Sequence, residues 1–157
     1  MINIRIICVG KLKEQFYTDA ANEYLKRLSG YCNLDIVELQ EFIVASDQKS
    51  ALALDKERAA IKKAIPPRAK IVALCVEGSV IDSLGLSEFL MNSAADGESR
   101  FCFIIGGSFG LHEEIKNIAG MKLSMSKMTF PHNLARVMLL EQIYRAFNIA
   151  EGGKYHK

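Results

Sequence analysis

No apolar run in this 157-residue chain approaches the roughly 20 residues that a helix needs to cross a bilayer. The opening MINIRIICVGK has too short an apolar stretch and no basic leader, so it reads as a first strand and not as a signal peptide; the expected setting is the cytoplasm. Paired cysteines are missing too. Cys8, Cys32, Cys75 and Cys102 are scattered, with no CxxC and no histidine at ligand spacing, so neither a disulfide framework nor a metal site is expected. Three of them lie in apolar runs (IICV, LCV, FCFII), where a thiol packs as a small hydrophobe. A large excess of one charge sign is missing: with 20 Lys/Arg against 18 Asp/Glu, a formal net charge of +2 does not by itself announce nucleic acid. Without repeats, low-complexity segments or a dividing linker, residues 1–157 form one expected domain, large enough to bury a core unaided.

What is present is a regular alternation. Strand-like runs rich in Ile, Val, Leu and Phe recur at 3–9, 34–39, 70–76 and 101–105, with a shorter one, KLSMS, at 122–126. Between them lie helical patterns. Phe16, Ala20, Ala21, Tyr24, Leu25 and Leu28 follow the helical period within 13–29. An Ala-, Lys- and Glu-rich stretch from about 47 to 65 stops at Pro66-Pro67. Shorter helices are expected from Leu86 or Ser87 to about Ala95 and over 111–119, and a last one follows Pro131, capped by His132 or Asn133, and runs to Gly152. The segment around 40–50 reads as a solvated loop. The fold class is therefore α/β: an open, mostly parallel sheet with helices on both faces.

Such sheets bind ligands beyond the carboxyl ends of their strands. Three strand-end loops thus matter. FIIGGSFGL (103–111) puts Gly106, Gly107 and Gly110 between a buried strand and a helix, where backbone can approach a ligand closely. Its spacing is G-G-x-x-G and no GK[ST] follows, so neither a dinucleotide fingerprint nor a P-loop is present. LCVEGSVIDS (74–83) ends another strand on Glu77-Gly78. KLSMSKMTFPHNLARV (122–137) is either a poor edge strand or a loop of backbone polar groups with soft apolar side chains, suited to a flat heterocycle. His132 and Arg136 share a helix face, whereas Arg145 lies nine residues beyond Arg136 and about half a turn out of phase. Glu141 and Arg145 stand in the favourable i,i+4 order for a surface pair. Residues 120–157 carry six Lys/Arg against two Glu, a basic quarter that fits a local anionic partner. The chain ends on GGKYHK (152–157), either a solvated stub or a jointed arm carrying Tyr155 and His156 into a site.

IICVGKLKE, IGGSFGL, LSMSKMTFPHNLARVMLLEQIYRAFNI and the terminal KYHK, in that order, closely resemble the small SPOUT-class RNA methyltransferases, and more narrowly the ribosomal large-subunit pseudouridine N3-methyltransferases. The resemblance covers the whole chain. It implies a deep trefoil knot near the C-terminus, an exception to unknotted topology, and S-adenosylmethionine as methyl donor without a metal. The matching donor positions are Leu74, Val76, Glu77, Gly78, Gly106, Gly107, Leu123, Ser124, Met125, Ser126, Lys127 and Met128. It also implies a homodimer acting on a pseudouridine in a hairpin loop of 23S rRNA within the assembled 70S ribosome. Tyr155, His156 and Arg145 take the catalytic positions, with Gly152-Gly153 as the joint, and His132, Arg136 and Lys154 face the RNA. Read without the resemblance, the same alternation allows a flavin or nucleotide binder on a flavodoxin-like sheet, which a yellow protein would reveal. It also allows a non-catalytic RNA-binding module, which would bind RNA without consuming a methyl donor.

Overall fold

Strand and helix alternate along the chain in the computed structural model, which describes residues 1–42 and 47–157. The order is β1 (Ile2–Val9), α1 (Gln15–Leu28), β2 (Cys32–Leu39), α2 (Asp47–Ala64), β3 (Lys70–Val80), α3 (Ser83–Ala95), β4 (Arg100–Ile105), α4 (Glu113–Ile118), β5 (Met121–Ser124) and α5 (His132–Ala150). The strands form one sheet in the order β2-β1-β4-β3-β5, and every pairing is parallel.

Side chains alternate between the two faces of a strand, and both faces are apolar here. Ile4, Ile6, Cys8, Phe101, Phe103 and Ile105 join the core shared with α1, α3 and α5; Ile7, Val9, Cys102 and Ile104 join the core under α2 and α4. This explains the nearly unbroken apolar runs of β1 and β4: each is sandwiched. Cys8 and Cys102 are buried free thiols, as expected of packing residues, and Cys32 is buried with them, whereas Cys75, in the LCV run, is only partly buried.

Of the boundaries that differ from the sequence reading, two show their cause in a capping contact. The third helix starts at Ser83, not near Ser87, because the Asp82 carboxylate accepts a hydrogen bond from the Gly85 N–H at 2.7 Å and caps the turn. The last helix is entered through Pro131, whose carbonyl accepts from the Ala135 N–H; neither His132 nor Asn133 acts as the cap residue. The proline already holds the extended backbone that a cap position requires. Of the segment read as a solvated loop, 43–46 lie outside the described residues, Asp47 onward belongs to α2, and the Glu41 side chain is mostly enclosed.

Two irregularities shape the carboxyl edge. Leu74 and Ser79 both pair with Leu123, so Cys75–Gly78 leaves the β3–β5 ladder as a four-residue excursion. Gly78 closes it, lying so near β5 that an added Cβ would stand 2.7 Å from the Lys122 carbonyl carbon. In addition, the connection leaving β1 runs toward β2 while that leaving β4 runs the other way toward β5, which places a topological switch point between β1 and β4.

Candidate active site

At the carboxyl ends of β3, β4 and β5 lies a cleft of about 730 Å³, within the size range of small-molecule sites. The three loops singled out in the sequence form its walls. Leu74, Val76, Glu77, Gly106, Gly107, Leu123, Ser124, Met125, Ser126 and Met128 line it; Gly78 and Lys127 do not. Gly78 instead holds the excursion against β5, and Lys127 is exposed to solvent. The lining is mixed. Val76, Phe109 and Met128 are exposed apolar side chains, which offer contact surface to a flat ring. The β5–α5 loop is pinned internally: Ser124 Oγ donates to the Ser126 carbonyl, and Ser126 Oγ accepts from the Met128 N–H.

The glycine loop is a close-packed turn. The Gly110 N–H donates to the Gly107 carbonyl at 3.0 Å, and Gly110 has φ +74°. A Cβ on Gly106 would stand 2.4 Å from the Gly110 oxygen, so no other residue fits without opening the turn. Overpacking of this kind costs about 1–3 kcal/mol. For the methyl donor that the resemblance implies, Gly106→Ala is accordingly expected to weaken S-adenosylhomocysteine binding roughly tenfold to a hundredfold, measured by titration calorimetry; affinity within threefold of wild type would show that the turn does not shape the cleft.

Side chains without a local sequence signal complete the walls. Lys116, on α4, pairs with Glu77 and Glu113. Its hydrogen bond holds the Glu77 carboxyl below the ordinary value, and Glu77 in turn raises the Lys116 ammonium. Ser108, Phe109, Thr129 and Phe130, which lie within the quoted loop motifs without being singled out there, also line the cleft. Cys75 also lines the cleft, with its thiol pushed up chiefly by burial, so it stays protonated.

The residues expected to face RNA separate. His132 lines the cleft, with Nε2 4.0 Å from Glu41 Oε2. Arg136 turns inward: it is 3 % exposed, and its two terminal nitrogens donate to Glu38 Oε2 at 2.7 Å and to the Gly10 carbonyl at 2.9 Å. A guanidinium held in this way ties α5 to the ends of β1 and β2, and presents nothing to a ligand in the cleft. Lys154 is exposed.

The tail is ordered. The Gly153 N–H reaches the Asn148 carbonyl at 2.8 Å and the Gly152 N–H the Ile149 carbonyl at 3.0 Å, with Gly152 at φ +68°. This is a Schellman ending, and it requires glycine at the left-handed position. Gly153 packs directly on the Asn148 amide, where a Cβ would stand 2.5 Å away. The turn sends the chain back along α5. The Tyr155 N–H donates to Asn148 Oδ1 and its hydroxyl to Glu141 Oε1 at 3.1 Å. Arg145 pairs with the same Glu141, lies 4.6 Å from the Tyr155 ring centroid, and has Nη1 3.4 Å from His156 Nδ1. The structure therefore brings Tyr155, His156 and Arg145 together, and Glu141, read from sequence as half of a surface pair, is the post that holds them. Burial first, then the Tyr24 and Glu141 side chains, push the Tyr155 phenol up to about 12, so it remains a neutral donor. Glu141 and His132 are nine residues apart on one helix, so the tail cluster stands about 14 Å along the axis from the cleft mouth of its own chain.

Comparison with known proteins identifies the family. Proteins named "Ribosomal RNA large subunit methyltransferase H" are 49 % identical to the chain in Clostridium botulinum (99 % of this chain, 100 % of that protein) and 43 % identical in Oenococcus oeni (100 % of each). Among solved structures, a probable methyltransferase from Bordetella pertussis superposes with a TM-score of 0.60 at 18 % identity, covering 92 % of this chain and 93 % of that one. A probable methylase family protein from Haemophilus influenzae gives 0.58 at 14 %, covering 98 % and 70 %. At these identities the two structures speak for the fold alone. Residues 2–156 match the family described as "Predicted SPOUT methyltransferase", and the chain belongs to that family.

Proposed function

We propose that the protein transfers a methyl group from S-adenosylmethionine to N3 of a pseudouridine in a hairpin loop of 23S rRNA, within the assembled ribosome, as a cytoplasmic homodimer. The observation that carries this reading is the cleft built from the three loops at the carboxyl ends of β3, β4 and β5 in a chain of the SPOUT methyltransferase family. The names of the full-length relatives support rRNA as the substrate class. The trefoil knot belongs to the same reading.

The residues present fit the donor. Gly106 lets the glycine loop close tightly on Gly110 at the cleft wall, the Cys75–Gly78 excursion turns main-chain groups out of the β3–β5 ladder, and Val76, Phe109 and Met128 offer apolar surface. In this reading, Leu74–Glu77, Gly106–Gly107, Leu123–Ser126 and Met128 hold it. When bound, the donor supplies an electrophilic methyl group on a sulfonium. The protein's share is alignment and charge. Holding two reactants in line removes much of the barrier, and donors aimed at a developing anion remove more. N3 must shed a proton before or as it attacks. Arginine can only donate, so in its contact with Arg145 the His156 Nδ1 is the acceptor and Nε2 carries the hydrogen. His156 then serves as a donor to the polar edge of the base, alongside Arg145, and the proton leaves to water. Tyr155 orients the base by stacking, as unstacked RNA loops are read.

The distance along α5 is what supports the homodimer in this reading. Because the tail cluster stands away from the cleft of its own chain, one site combines the donor cleft of one subunit with Arg145, Tyr155, His156 and Lys154 of the other, and with His132 at the mouth.

The test is transfer of labelled methyl to ribosomes lacking the modification, with separated large subunits and naked rRNA in parallel. Label in a pseudouridine of assembled ribosomes is the expected result. No label in any of the three, with S-adenosylhomocysteine still bound tightly, would overturn the reading in favour of an RNA-binding module.

A further inference from the structure

The crevice at the switch point between β1 and β4, where an α/β sheet ordinarily admits a ligand, is filled by the protein itself. Gly10 ends β1 with φ +97°, and Gly107 follows β4. A Cβ on Gly107 would lie 2.9 Å from Glu41 Oε1, and a Cβ on Gly10 would lie 3.1 Å from Glu41 Oε2. The two glycines thus make a slot the width of one carboxylate. Within it, Glu41 Oε1 accepts two hydrogen bonds from Ser108, from the N–H at 3.0 Å and from Oγ at 2.7 Å, while Oε2 faces His132 Nε2. The side chain is 19 % exposed. Burial by itself raises a carboxyl; here the two Ser108 hydrogen bonds and the charges of His132 and Lys13 outweigh it and hold Glu41 below its ordinary value.

We infer that Glu41 is a positioning residue of the methyl-donor cleft: one carboxylate, reaching in from the end of β2, sets the glycine loop through Ser108 and holds His132 at the mouth. Ser108, Gly107 and His132 all line the cleft, and each touches Glu41 or would touch it through an added Cβ. A glycine-rich turn has little conformational preference of its own, so its shape depends on what it is bonded to. Glu41 supplies that bond from a segment 67 residues away in the chain. The inference rests on the proposed function, since it takes the cleft to be the donor site.

Three variants separate reach from charge. Glu41→Gln keeps an oxygen at the same reach and loses the charge; Glu41→Asp keeps the charge and withdraws it by one methylene; Ser108→Ala removes the Oγ donor. S-adenosylhomocysteine affinity is measured by calorimetry, and the apo melting temperature is followed for each variant. Withdrawing the acceptor by one methylene takes it out of reach of both Ser108 donors, so Glu41→Asp is expected to weaken S-adenosylhomocysteine about tenfold. Glu41→Gln should stay within about threefold, because reach matters more to the loop than charge. Glu41→Asp and Ser108→Ala together should cost no more than Glu41→Asp alone, since both act through one contact. A merely structural role would lower the melting temperature and leave affinity and its rescue by glutamine unmoved. Wild-type affinity in Glu41→Asp, or fully additive effects in the pair, would overturn the inference. If wild type itself fails to bind S-adenosylhomocysteine, the proposed function fails first, and the two failures are distinguishable.

Discussion

Deleting Lys154–Lys157 is expected to lower methyl transfer to ribosomes by about 100- to 1,000-fold, the usual cost of removing donors aimed at a developing anion. Binding of S-adenosylhomocysteine should change by less than about twofold, because no residue of the tail lines the cleft. The melting temperature should fall only slightly, since the tail's hydrogen bonds to Asn148 and Glu141 lie on the outer side of α5 and both partners regain water. A loss of kcat with donor affinity intact is the signature of a group used after binding. The proposed dimer gives a sharper form of the test. Subunits with the deletion, mixed with subunits carrying Gly106→Ala, should regain activity, because one site in the mixed dimer then has both an intact cleft and an intact tail. Unchanged turnover in the deletion would make the tail a passive stub. Failure of the mixture to recover would place cleft and tail of one site in the same subunit.

Arg136→Met is the second large effect, and it falls on stability. The guanidinium is buried and bridges Glu38 and the Gly10 carbonyl, while its Nε finds no hydrogen-bond partner among the described residues. Breaking a buried pair by removing one partner costs about 3–5 kcal/mol, because a desolvated charge is left behind. Glu38 is 34 % exposed at its side chain, so water can partly reclaim it and the low end, about 3 kcal/mol, is expected. For a domain of this size that lowers Tm by roughly 6–12 °C. Replacing Glu38 by Gln in the same protein should recover part of the loss, since the orphaned charge is then gone. Urea denaturation of the single and double variants measures both steps. A shift below about 1 kcal/mol for Arg136→Met would mean that the pair does not hold α5 to the sheet. Because Arg136 ties α5 to Gly10, and Gly10 borders the slot occupied by Glu41, this ion pair and the Glu41 contact brace the same corner from two sides.

The contrast between Arg136 and Arg145 shows what the sequence can convey. Their spacing correctly puts them on different sides of one helix. Nothing local says which side is inward. Arg136 stands in a stretch of mixed polarity, and only Glu38, 98 residues earlier, and the carbonyl of Gly10 make its burial tolerable. An arginine at the start of a basic quarter therefore reads as a nucleic-acid contact, whereas the fold uses it internally. Glu41 was passed over for the same reason. A lone glutamate after a strand has no period and no motif; its meaning arises from two glycines that it meets only when β1, β2 and β4 lie side by side.

The sequence by itself determined the alternation of strand and helix, the burial of β1 and β4 on both faces, the three loops that wall the cleft and the glycine joint before the tail. Those are properties of periods, of runs and of residues with special backbone freedom, and each is complete within a dozen neighbours. Tertiary structure alone decided that Arg136 is a brace, that Lys116 arrives in the cleft from α4, that Glu141 posts the tail and that Glu41 fills the switch-point crevice. Each of these depends on groups brought together from separate elements or folded back along one helix. A charged side chain has a choice of partners in the chain, and its role is set by which of them the packing of sheet and helices leaves within about 3 Å.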